Sequence, residues 1–136
     1  PGTGEGPTPS LPMACSALIS LLDTQHSRQG NWWLPDGGFP QHLASLLGSP
    51  LRASGRPPRS WHDLQAVFEP LGPLASPDAP AASYRYLLCL DRRGSRISCW
   101  RRYPEGLGWQ RRCGPMPLAQ FIRRFQQPGA ARRASS

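Results

Sequence analysis

The chain has 136 residues, enough for one domain with a core and too few for two domains of ordinary size. All sixteen of its basic residues are arginine, and eleven of them lie in residues 86–136 against only Asp91 and Glu105, a net charge of +9 there. Residues 1–85 are nearly neutral, with five arginines against six acidic residues. The composition therefore predicts an anionic partner for the second half, and the lack of a long apolar run argues against a membrane-spanning segment or a membrane partner.

In the first half, the Gly/Pro-rich residues 1–11 predict a disordered tail. Apolar residues at helical spacing predict a first helix over residues 13–26. Residues 31–34 then predict a short aromatic strand, and the leucine spacing of residues 39–48 predicts a second helix. A third helix is expected over residues 60–71, where Ser and Asp three positions apart form a capping-box pattern.

In the second half, residues 72–82 predict a Pro/Ala linker. Two aromatic-rich runs around a Gly-containing turn predict a β-hairpin over residues 84–103. Residues 104–116 are expected to be irregular, and residues 118–125 to form an amphipathic helix. Residues 128–136 are expected to be a disordered basic tail, so that residues 12–127 form a single domain.

The order helix, short strand, helix, helix and hairpin over residues 13–103 resembles that of the winged-helix superfamily, and is most similar to its LOTUS-type branch. The fold class predicted from this resemblance is α+β and winged-helix-like: three helices, a short strand and a two-stranded wing hairpin, with a C-terminal helical extension. The alternative is a small α+β domain in which the hairpin joins Trp32–Leu34 in a three-stranded sheet.

The resemblance implies that the third helix is the element that would read DNA. That helix has no arginine or lysine between Ser60 and Leu71, and it carries Asp63 and Glu69, which would be repelled by phosphate. Base readout in the major groove is therefore not expected, and binding is expected to depend on the hairpin and the segment after it. The residues predicted to bind nucleic acid are Arg92, Arg93, Arg96, Arg101, Arg102, Trp109, Arg111 and Arg112.

Aromatic residues interleaved with these arginines could stack on unpaired bases. Trp100, Tyr103 and Trp109 are the candidates, but large aromatics on a hairpin are usually buried on one face, so Trp100 is expected in the core and Trp109 at the surface. Trp32 and Trp33 are adjacent in a predicted strand, so their side chains should point to opposite faces.

The sequence offers no catalytic constellation: it has no P-loop, no GxSxG, no HExxH and no paired carboxylates. An enzyme is therefore not expected, and neither is a cofactor. The four cysteines form no CxxC, and with the three histidines they make no zinc-binding pattern. A reduced, intracellular protein is favoured, in the nucleus or the cytoplasm, and two disulfides in a secreted protein are the alternative.

The function predicted from these features is nucleic-acid binding, of RNA or single-stranded DNA rather than of a specific duplex site. The alternative is a protein-interaction domain that recognises a partner peptide or an acidic surface, since short apolar helices can form a peptide groove. A third possibility, a secreted basic protein that binds sulfated glycans, requires the cysteines to be paired in disulfides.

Overall fold

A mixed β-sheet with three helices makes up the part of the chain described by the computed structural model, residues 15–49, 55–56, 58–76, 82–103 and 108–126. The strands are β1 (Ala17–Asp23), β2 (Arg28–Leu34), β3 (Gly72–Leu74), β4 (Tyr84–Asp91), β5 (Gly94–Tyr103) and β6 (Gly108–Pro117). The helices are α1 (Pro40–Leu47), α2 (Trp61–Phe68) and α3 (Leu118–Phe125). Across the sheet the strands lie in the order β3-β2-β1-β4-β5-β6, and all neighbours are antiparallel except β1 and β4, which are parallel.

The prediction of a helix over residues 13–26 is wrong, because β1 occupies most of that segment and residues 13 and 14 lie outside the described residues. Ala17 and Ile19 are fully buried on one side of the sheet, and Leu18 is only 2% exposed on the other. A central strand that is covered on both faces reads as a continuous apolar run. Such a run cannot be distinguished from a buried helix by its periodicity alone.

The three helices all pack on one side of the sheet. Phe68 of α2 lies 5.2 Å from Trp32 of β2, and Phe121 of α3 lies 6.4 Å from Tyr86 of β4, measured between ring centroids. The buried core cluster joins alternate sheet residues to all three helices, but it does not include Leu18 on the opposite face. The described residues therefore form two layers, with the core between the sheet and the helices.

The winged-helix prediction is wrong as a fold, because a six-stranded sheet replaces a helical core with a small wing. The hairpin is confirmed as β4 and β5, and the later helices are confirmed as α1, α2 and α3. Residues 108–117, expected to be irregular, form β6 instead and pair with β5. The three-stranded alternative is also wrong, since Trp32–Leu34 belongs to β2 and is separated from the hairpin by β1.

Strand β6 could not be predicted from the sequence because its alternation of apolar and polar residues is interrupted. It contains Pro115 and Pro117, and its pairing with β5 shifts register on both sides of Cys99. Two bulges in ten residues remove the alternation of apolar and polar positions that identifies a strand. The segment therefore has the composition of a loop, although it is the outermost strand of the sheet.

The predicted disordered tails, residues 1–11 and 128–136, lie outside the described residues. The predicted linker over residues 72–82 is wrong at its start, where β3 pairs with β2, and residues 77–81 lie outside the described part. In the part of the chain that the structure describes, no helix has the length and apolarity needed to cross a membrane.

Candidate functional site

The side of the sheet opposite the helices, named here the open face, carries a row of aromatic and basic side chains. Register partners on neighbouring strands project to the same face of a sheet. The row runs across β2, β1, β4, β5 and β6 through Trp33, Leu18, Arg85, Trp100 and Arg111. Since neighbouring strands lie about 4.8 Å apart, five strands make this row about 19 Å long.

The exposure of these side chains varies along the row. Arg85 and Arg111 are exposed, Trp33 and Trp100 are half-buried, and Leu18 between them is buried. Half-buried indoles present part of an aromatic surface to solvent while the remainder packs against neighbouring side chains. The open face therefore combines aromatic surface with guanidinium groups on β4, β5 and β6, whereas Leu18, Ser20 and Asn31 in its β1 and β2 part are buried. None of the helices described packs on it.

A second row lies next to the first, on the side farther from the turn between β4 and β5. Arg102 of β5 is the register partner of Trp109 of β6, and its guanidinium carbon lies 4.8 Å from the centroid of the indole. Arg85 reaches the same indole from β4 at 5.7 Å. A cation–π contact uses the flat face of a guanidinium, so its N–H donors remain in the plane for phosphate or carboxylate oxygens.

The turn between β4 and β5 places further arginines at the other end of the open face. Asp91 accepts hydrogen bonds from the backbone N–H of Arg93 at 2.8 Å and from Nη2 of Arg96 at 2.7 Å. The first of these bonds, followed by the effect of Arg96, holds the pKa of Asp91 below its usual value, so this carboxylate is charged at neutral pH. The turn is thereby fixed with Arg92 and Arg93 exposed.

A concavity of about 790 Å³ lies beside this turn and the turn between β1 and β2. It is lined by Thr24, Gln25, Asp91, Arg92, Arg93 and Arg96. Three guanidinium groups against one carboxylate give the lining a net charge of +2. The concavity therefore favours anionic groups such as phosphate.

Two of the predicted site residues lie away from the open face. Arg101 is the register partner of Tyr84 on the helix side, and its guanidinium carbon lies 5.8 Å from the Tyr84 ring and 5.1 Å from the Tyr103 ring. Arg112 falls at the bulge opposite the step from Cys99 to Trp100. The eight predicted residues are thus divided among the open face (Arg102, Trp109, Arg111), the turn (Arg92, Arg93, Arg96) and the helix side or edge of the sheet (Arg101, Arg112).

The three strands β4, β5 and β6, with the turn between the first two, hold eight arginines and a single carboxylate, Asp91, a net charge of +7. Within the described residues, Asp91 pairs with Arg96, and neither Arg85 nor Arg111 takes part in an ion pair. This half of the sheet therefore generates a positive potential that the described carboxylates do not neutralise.

Sequence reasoning missed Arg85 as a site residue and misplaced Trp100, which is half-buried on the open face and outside the core cluster. The alternation of side chains along a strand could have identified Arg85, because it lies between Tyr84 and Tyr86, whose side chains are buried on the opposite face. The prediction that Trp32 and Trp33 point to opposite faces is confirmed.

The described residues contain no group of three or more His, Cys, Asp or Glu side chains that could hold a metal ion. The exposed side of α2 and its C-cap carry His62, Asp63, Gln65 and Glu69, with no arginine or lysine in the helix. In comparisons with known proteins, no family model, no curated protein sequence and no solved structure matches the chain.

Proposed function

We propose that this protein binds single-stranded nucleic acid, RNA or single-stranded DNA, on the open face of its sheet. The observation that supports the proposal is the arrangement of half-buried Trp33, Trp100 and Trp109 among Arg85, Arg102 and Arg111 on one surface. Unpaired bases stack on exposed aromatic rings, and arginines neutralise the backbone that connects those bases.

The shape of the surface favours a single strand over a duplex. A broad sheet face cannot enter the major groove of B-DNA, which admits a helix or a two-stranded ribbon. The helix that could enter it, α2, presents Asp63 and Glu69 and no cation. Sequence readout of a duplex therefore has no suitable element among the described residues, whereas stacking requires only accessible aromatic rings.

The concavity at the β4–β5 turn extends the proposed path of the strand. Arg96 and Arg102 lie six residues apart on β5, which is about 20 Å along the strand. In this proposal the indoles hold bases, and Arg92 and Arg93 hold backbone phosphates beyond them. We also propose an intracellular compartment, nucleus or cytoplasm, because disulfides are rare there and all four cysteines are free thiols.

The test is a fluorescence-anisotropy titration of labelled single-stranded RNA, single-stranded DNA and duplex DNA with two charge-reversal variants. Arg102→Glu/Arg111→Glu changes the open face, and Arg123→Glu/Arg124→Glu makes the same change in charge on the exposed side of α3. We expect the first variant to weaken single-strand binding by on the order of a hundredfold and the second by less than about fivefold. Equal losses of affinity in the two variants would show that binding depends on net charge and not on the open face. Absence of binding by the unaltered chain at low salt would refute the proposal.

A second candidate function, recognition of a partner peptide, is supported by a groove between α1 and α2. The groove has a volume of about 500 Å³ and is lined by Leu46, Ser49, His62, Asp63, Ala66, Val67 and Pro70. Apolar grooves between helices accept amphipathic helices. The substitution Ala66→Arg would block this groove and leave the open face intact, so a peptide ligand would be lost while oligonucleotide binding is retained.

A further inference from the structure

Two buried cysteines face each other across the outer pair of strands. Cys99 of β5 and Cys113 of β6 are register partners on the helix side of the sheet. Cys99 is fully buried, Cys113 is 8% exposed, and both are free thiols. Register partners project to the same face of a sheet, so the two thiols are neighbours on the helix side.

The backbone geometry of this pair suits a disulfide. Residues directly opposite each other in an antiparallel pair have Cα atoms about 4.5–5.5 Å apart. A disulfide spans Cα separations of about 4.4–6.8 Å. Cys99 and Cys113 are paired between two bulges of β6, and the usual spacing of paired strands is compatible with a disulfide at this position.

The two thiols differ in their readiness to ionise. The adjacent Cys99 thiol lowers the pKa of Cys113 against the opposing effect of burial, and the charges of Arg124 and Arg112 lower it further. The adjacent Cys113 thiol, with burial, raises the pKa of Cys99. Of the two thiols, Cys113 is therefore the one favoured to ionise, and the thiolate is the nucleophilic form.

We propose that Cys99 and Cys113 form an oxidation site at which a small hydroperoxide produces a reversible cross-strand disulfide. The Cys113 thiolate attacks a peroxide oxygen, the O–O bond breaks, and the leaving hydroxide takes a proton to become water. Cys113 is then a sulfenic acid. The Cys99 sulfur attacks the Cys113 sulfur, the S–O bond breaks, and a second water leaves with the Cys99 proton. Two thiols are oxidised and one hydrogen peroxide is reduced to two waters.

The slight exposure of Cys113 restricts the oxidant to a small molecule. The other cysteines differ in position, since Cys89 lies on the open face opposite Arg96, and burial raises the pKa of its thiol. The disulfide would fix β6 to β5 beside Arg111 and Trp109 and would be removed by a dithiol reductant. This inference does not rest on the proposed binding of nucleic acid.

The test uses the full chain, reduced and then treated at neutral pH with a few equivalents of hydrogen peroxide. After the remaining thiols are alkylated, cleavage at arginine separates residues 97–101, which contain Cys99, from residues 113–123, which contain Cys113. We expect mass spectrometry to show these two peptides linked as the main oxidised product. The Cys15→Ser/Cys89→Ser variant should give the same link, and Cys99→Ser should accumulate a sulfenic acid at Cys113 that a cyclic 1,3-diketone traps.

A second measurement keeps the test decisive if a single-cysteine variant fails to fold. The unaltered chain is oxidised in guanidinium chloride, where the fold no longer selects partners. We expect several cysteine pairings there, against one in the folded protein. Links from Cys15 or Cys89 as the main folded product, or the same mixture with and without denaturant, would overturn the proposal.

Discussion

Arg102 and Trp109 are register partners on β5 and β6, and the guanidinium carbon lies 4.8 Å from the centroid of the indole ring. The contact pre-orders both side chains on the open face, because each limits the rotamers of the other. When a base stacks beside this pair, the protein side chains therefore lose less conformational entropy than two mobile side chains would.

Replacing Arg102 by lysine should separate the contribution of positive charge to binding from the contribution of the planar guanidinium group. Lysine keeps the positive charge but has no flat group to stack on Trp109. We expect Arg102→Lys to weaken binding of single-stranded RNA by about three- to tenfold, the range of a cation–π contact, while the salt dependence stays the same. Fluorescence anisotropy measures both quantities. The matched control, Arg123→Lys on α3, should leave affinity unchanged, and equal affinities for the two variants would contradict the stacking role.

Arg92 and Arg93 are expected to contact phosphate, so their removal should change the salt dependence. For single strands, the slope of log K against log salt is about −0.7 for each phosphate neutralised. Arg92→Ala/Arg93→Ala should therefore make the slope less negative by about 1.4. The titration is repeated at four salt concentrations. Arg123→Ala/Arg124→Ala removes the same charge elsewhere and should change the slope by less than half as much; the opposite ranking would exclude phosphate contacts at the turn.

Gly114 in β6 is expected to be essential to the fold. Its φ of 90° disfavours any side chain, and a Cβ atom there would collide with the carbonyl oxygen of Ile97. We expect Gly114→Ala to lower the free energy of unfolding by more than about 2 kcal/mol, as urea denaturation would measure. Gly108→Ala is the control, since its φ of 72° is also positive but its Cβ would meet open space. Its cost should be about 1 kcal/mol, and equal costs would contradict the collision.

The N-terminus of α2 should make stability depend on pH. Ser60 and Asp63 form a capping box, and Ser60→Ala should cost about 1 kcal/mol. The backbone hydrogen bond from Arg59 is the largest cause of a lowered pKa at Asp63, so folding favours its charged form. The stability from this group is present above the ordinary pKa of 3.8 and is lost as pH falls through the lower folded value.

Thermal unfolding followed by circular dichroism at pH 7 and near pH 2.5 tests this sign. Asp63→Asn should unfold at a lower temperature at neutral pH and should lose less stability on acidification than the unaltered chain. Glu69→Gln removes the same charge at the other end of α2 and serves as the control. A loss on acidification as large in Asp63→Asn as in the unaltered chain would exclude the capping carboxylate as its source.

Local signals explain which elements could be predicted from the sequence. The capping box of Ser60 and Asp63 and the turn residues Asp91 and Gly94 act within a few positions, and α2 and the β4–β5 hairpin were predicted correctly. Strand β1 was missed because its two-sided burial depends on distant partners, including Tyr84, which pairs with Ala17. No local pattern contains that information.

The candidate site was predicted as a segment but not as a surface. Arg101 and Arg102 are adjacent, and only the register of β5 decides that Arg102 joins Trp109 while Arg101 lies against Tyr84. That register depends on the length of the turn between β4 and β5. The turn has two residues, because Asp91 lies opposite Gly94, and its length could not be predicted from the sequence. The placement of Arg112 depends on a bulge that has no sequence signature.

The two outermost described strands limit how a partner can attach. β3 is three residues long and contains Pro73, and β6 is interrupted by Pro115, Pro117 and two bulges. Neither edge offers a long run of backbone N–H groups that another chain could extend as an additional strand. The irregularities that make β6 hard to predict from the sequence therefore also disfavour edge-to-edge pairing of sheets into aggregates.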